Sequence, residues 1–145
     1  MDGKFTVISG YATESQGRFE RSAEVFDPNT SVWSMVENMW SIGGCPRSCV
    51  AALGCLYFFH KKQVMSYKSK ENVWEVVACL PESMNVASCA TVWRDRIFVS
   101  GSAQTVDKQV CYMLENKEGN LERWVPIERA QNFVGFVQST VSVEM

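Results

Sequence analysis

The chain has 145 residues, 46% of them hydrophobic, 12% aromatic and 21% charged, which is enough apolar material for a domain-sized core. Fourteen basic against sixteen acidic residues leave a net charge of −2, which removes the positive footprint of a nucleic-acid or anionic-membrane binder. No apolar run reaches the roughly 18 residues that span a bilayer, and the opening Met1-Asp2-Gly3-Lys4-Phe5-Thr6-Val7 lacks the regions of a signal peptide, so a soluble protein of the cytoplasm or nucleus is expected.

The first β-prone run is Phe5 to Ile8, entered through the turn pair Gly3-Lys4. A second, Ser22 to Phe26, leads through Asp27-Pro28-Asn29-Thr30 to Val32-Trp33. Phe19, Ala23 and Phe26 have helical spacing, but Gly17 before them and Asp27-Pro28 after them leave too short a segment for a stable helix. Four strands follow, at Arg47 to Leu53, Cys55 to His60, Gln63 to Tyr67 and Val73 to Ala78. All are short, rich in Val, Tyr, Phe and Trp, and bounded by Gly, Asn, Ser or Lys. Asp95-Arg96 opens another run from Ile97 to Ser100, Trp124 sits in a later one, and Asn132 to Val143 reads as one or two more.

These elements repeat. Phe26 to Trp33 aligns with Tyr67 to Trp74, the aromatic-to-Trp spacing being seven in both and the copies 41 apart; Trp124 is 50 beyond Trp74. Each of the first two tryptophans is followed seven residues later by a turn element, Trp40 or Pro81. Units of about 40–50 residues built from short strands indicate propeller blades. The chain divides into approximate units 2–40, 41–82 and 83–128, with 129–145 giving leading strands of another blade or a ring-closing strand. The predicted class is all-β: about three four-stranded antiparallel blades of an incomplete β-propeller. Closed propellers take about 4–8 blades, so a fragment of a longer protein is expected, or self-association through open blade faces.

Little in the chain points to chemistry. Six cysteines (Cys45, Cys49, Cys55, Cys79, Cys89 and Cys111) begin with C-x3-C-x5-C but have no second knuckle. Buried thiols are expected rather than disulfides or a zinc site. His60 is the single histidine, so a Ser-His-Asp or Cys-His arrangement would have to run through that one residue. With no nucleophile elbow, phosphate-binding loop or paired carboxylates, no catalytic, cofactor or metal site is predicted, and the chain does not read as an enzyme.

Arg47-Ser48-Cys49-Val50-Ala51-Ala52-Leu53-Gly54-Cys55-Leu56-Tyr57-Phe58-Phe59, then Val64-Met65-Ser66-Tyr67 and Asn72-Val73-Trp74-Glu75, resemble the kelch repeat. More narrowly, the chain is similar to the C-terminal part of plant F-box/kelch-repeat proteins, without an F-box. The glycine pair of the family is replaced by Ser9-Gly10, His60-Lys61 and Gly101-Ser102. The resemblance implies a protein-interaction module, the substrate-recognition part of an SCF-type ubiquitin ligase, which holds an unnamed protein target for ubiquitination and degradation. The ligase core would be met only through an F-box. Two alternatives are a non-ligase kelch scaffold or adaptor and a copper- or iron-dependent propeller enzyme, for which one histidine is a poor supply of ligands.

Strand alternation places the second-to-third-strand loops and the links between blades on one side: Tyr11 to Ser22, His60 to Lys62, Gly101 to Gln109, Glu37 to Arg47 and Cys79 to Ala87. Long loops on a rigid scaffold concentrate binding residues. By residue type the candidate partner contacts are Tyr11, Arg18, Phe19, Arg21, Trp40, Arg47, His60, Lys61 and Lys62. Trp33, Trp74 and Trp124 are assigned to packing between blades.

Overall fold

The computed structural model describes residues 3–14, 17–42, 48–104, 108–117 and 120–128. Among them are eleven strands and no helix: β1 (Phe5–Ala12), β2 (Arg18–Asp27), β3 (Val32–Val36), β4 (Cys49–Ala52), β5 (Cys55–His60), β6 (Gln63–Lys68), β7 (Val73–Cys79), β8 (Met84–Trp93), β9 (Arg96–Ala103), β10 (Gln109–Lys117) and β11 (Asn120–Ile127). They form three sheets, each in sequence order: β1-β2-β3, β4-β5-β6-β7 and β8-β9-β10-β11. These are the kelch-type antiparallel blades expected, and Phe19, Ala23 and Phe26 lie on a strand, β2. The segment 132–143, Cys45 and Arg47 lie outside the described residues.

Local chemistry explains the strands. In β4, Val50 and Ala52 are buried while Ala51 between them is exposed, the period-two pattern of a sheet with one covered face. β5 buries Leu56, Tyr57, Phe58 and Phe59 in succession, as a strand covered on both faces must. Leu53 and Gly54 join the two with φ of 54° and 72°, the left-handed pair that suits the twist of a two-residue hairpin. Lys61 turns the chain between β5 and β6 at φ 52°, a conformation glycine adopts more readily.

By compactness the chain forms two units, Met1–Pro46 with Lys68–Trp74 and Arg47–Tyr67 with Glu75–Met145. In the first, Ala23, Met39 and Trp40 are buried. In the second, Val50, Tyr57, Phe59, Val64, Leu80, Met84, Ile97, Val99 and Leu114 belong to one apolar cluster. Burial first, and Cys55 second, push the Tyr57 hydroxyl above its usual range; burial does the same at Tyr67. The five described cysteines form no disulfide, and Cys89 Sγ lies 2.8 Å from Ser100 Oγ in the interior.

The repeat is most legible in the segments that follow β3 and β7. In the first unit, Trp74 Nε1 donates to the Met39 carbonyl at 2.9 Å, and its ring meets Trp40 edge-on at 5.5 Å. The Trp40 N–H donates to the Arg21 carbonyl at 2.8 Å. In the second unit, Trp124 Nε1 donates to the Cys79 carbonyl at 2.7 Å, and the Leu80 N–H donates to the Lys62 carbonyl at 2.8 Å. Met39-Trp40 and Cys79-Leu80 therefore do the same work. The counterpart of Trp40 is Leu80, and the alignment with Pro81 is off by one residue. Trp40 is also 0% exposed, so it belongs to the core and is withdrawn as a partner contact.

Candidate functional site

The described candidate residues fall into two clusters, one in each unit. In the second unit the β5–β6 turn carries His60, Lys61 and Lys62. The His60 ring lies nearly parallel to Phe58, with centroids 5.7 Å apart, while Lys61 is exposed. Lys62 is not a free surface charge. Its ammonium donates to the Glu82 carbonyl at 3.2 Å and to the Met84 carbonyl, clamping the β5–β6 turn to the segment before β8.

That segment is held from a second direction. Gln104, just past β9, donates through Nε2 to the Glu82 carbonyl at 2.6 Å and through its backbone N–H to the Ser83 carbonyl at 3.2 Å. The Ser83 hydroxyl is hydrogen-bonded to the Tyr112 hydroxyl. Lys62, Leu80, Glu82, Ser83 and Gln104 line an open depression of about 660 Å³. Small-molecule sites are enclosed and mostly apolar. This surface is shallow, half polar and pinned by backbone carbonyls, which suits contact with another polypeptide.

Selection by residue type passes over Glu82, Ser83 and Gln104, which line this depression. They stand in the expected loop segments Cys79 to Ala87 and Gly101 to Gln109, where a choice of basic and aromatic anchors leaves out Glu, Ser and Gln. Their signal was position in the loop rather than residue type.

In the first unit Tyr11 and Phe19 are strand residues, paired across β1 and β2, with rings edge-on at 5.5 Å. Phe19, Arg21, Met35 and Glu37 line a cleft of about 530 Å³. Arg18 opens β2 opposite Ala12, and Arg47 is outside the described residues. Among the described residues no group of three His, Cys, Asp or Glu is placed to hold a metal ion.

No family model matches the chain. An F-box/kelch-repeat protein of Arabidopsis thaliana is 33% identical over 99% of this chain and 40% of the relative. A second from the same plant is 31% identical over 87% of this chain and 36% of the relative. A third is 54% identical over 40 residues, 28% of this chain and 10% of the relative. The chain thus spans about two fifths of the length of the first two of these relatives. Among solved structures, YjhT aligns with a TM-score of 0.65 at 13% identity, covering 93% of this chain and 51% of that one.

Proposed function

Since the chain is similar along nearly all its length to F-box/kelch-repeat proteins, we propose that it is a kelch-repeat protein-interaction module that recognises a target for a ubiquitin ligase. The observation that carries the reading is the 33% identity over 99% of the chain. The geometry supports the interaction half of it: the half-polar depression around Lys62, Glu82, Ser83 and Gln104 is open and internally braced. His60 and Lys61 stand beside it on the same turn as Lys62 and supply further partner contacts. The module does no chemistry on its target and works in the cytoplasm or nucleus.

The test joins the chain to an F-box segment from an Arabidopsis relative, expresses the fusion in plant cells and profiles ubiquitin-modified peptides. The expected result is a small set of proteins modified and depleted by the fusion and spared when His60→Ala and Lys61→Glu are combined. Proteins bound by the chain but unchanged in modification and lifetime would overturn the ligase role and leave an adaptor.

A further inference from the structure

Among the described residues, one face of the first sheet exposes apolar side chains around Glu24. The register places Phe5, Phe26 and Trp33 in one cross-strand row, and Val7 and Met35 in the next, on either side of Glu24. Phe5 is 61% exposed, Trp33 50% and Met35 63%. Phe5 and Trp33 carry rings that each bury about 150–250 Å² when covered and here stand half or more exposed, and exposed apolar clusters mark interaction surfaces.

The tryptophan repeat says what such a face receives. Trp74 and Trp124 each sink an indole N–H into a backbone carbonyl of a segment following a blade's last strand, Met39 in one case and Cys79 in the other. Trp33 aligns with them in the sequence repeat but is held by ring contacts alone among the described residues, at 5.2 Å from Phe26 and 6.2 Å from Phe5. β1 also has one neighbour where its counterparts β5 and β9 have two among the described strands. Trp33 and the β1 edge are thus suited to the surface of another blade of the same kind.

We propose that this face docks a second copy of the chain. A blade is what receives the equivalent tryptophan twice within this molecule, and in a solution of this protein another copy is the source of one. The proposal does not depend on the ligase reading, because its residues are on the first sheet and not in the His60–Lys62 turn.

Sedimentation equilibrium over a concentration series tests it. The expected species is a dimer, and Trp33→Glu combined with Met35→Glu weakens association about thirtyfold or more with an unchanged far-ultraviolet circular dichroism spectrum. Should that variant not fold, Val7→Arg tests the same face from another strand. Lys61→Glu leaves the dimer intact. A native chain that stays monomeric at every concentration overturns the proposal, as does a folded face variant that dimerises like the native chain.

Discussion

A methyl group at position 101 has no room. An ideal Cβ there stands 2.0 Å from the Val86 carbonyl oxygen and 2.9 Å from its carbon, both backbone atoms that cannot swing away. The closeness arises where β8 bulges against β9, with register shifts between Met84 and Val86 and between Ala87 and Cys89. Gly101→Ala is therefore expected to destabilise the protein by about 3 kcal/mol, the upper end of ordinary overpacking. Urea unfolding of native and variant chains measures it; a loss below about 1 kcal/mol would mean that the two strands separate easily. In sequence, Gly101 shows only as half of an eroded glycine pair. That its neighbour is a carbonyl fifteen residues earlier depends on a bulge, which leaves no mark in a pattern of apolar and polar residues.

The connecting segments and turns carry the repeat's energetics. Trp74→Phe and Trp124→Phe each keep most of the ring packing but remove the N–H that satisfies the Met39 or Cys79 carbonyl. Each should cost about 1–2 kcal/mol, a lost hydrogen bond and an unpaired acceptor. Trp33→Phe should cost less than about 0.5 kcal/mol in the monomer, its ring being half exposed. Chemical denaturation at low concentration measures all three: unequal costs at Trp74 and Trp124 would sink their equivalence, and a cost at Trp33 as large as theirs would show that Trp33 is already covered within one chain. The three tryptophans were legible in the sequence by spacing, because ring packing demands an aromatic there. Their acceptors were not, since any residue supplies a carbonyl. The same blindness put Trp40 among partner contacts: residue type marks an aromatic without telling whether its blade covers it. The β2–β3 turn makes a pH-dependent contribution. Asp27 accepts from Lys4 at 3.1 Å and from the Asn29 N–H at 2.9 Å, and these hold its carboxyl below the ordinary 3.8, the lysine contributing most. A depressed carboxylate stabilises the fold at pH above its unfolded value, and that contribution is lost as the pH falls through the folded one. Asp27→Asn should flatten the acid limb of the stability profile below about pH 4 and leave its slope at pH 6–8 unchanged. An acid limb as steep as in the native chain would show that the contact contributes nothing.

Across the whole molecule, burial is unevenly shared between the two units. The second unit places Val64, Met84, Ile97, Val99 and Leu114 at 0–2% exposure, in a continuous cluster to which β4, β5, β6, β8, β9 and β10 all contribute. In the first unit the deeply buried apolar residues are Ala23, Met39 and Trp40, while four of the five residues of β3 are exposed. Local opening is governed by how much apolar contact an element would lose, so the two units should exchange their amide hydrogens on different timescales. The amides of Ile97 to Gly101 in β9, bonded on both sides within their sheet, are expected to be the slowest, close to the rate set by global unfolding. Those of Val32 to Val36 should exchange at least about tenfold faster, a gap of about 1.4 kcal/mol in opening free energy. Pulsed exchange read by mass spectrometry on peptic fragments decides it, and equal protection of β3 and β9 would mean that the units open as one. The same measurement bears on the docked copy. If the first sheet is covered by a second chain, protection of β1 and β3 must rise with protein concentration while that of β9 stays constant, because only the open face gains a partner by mass action.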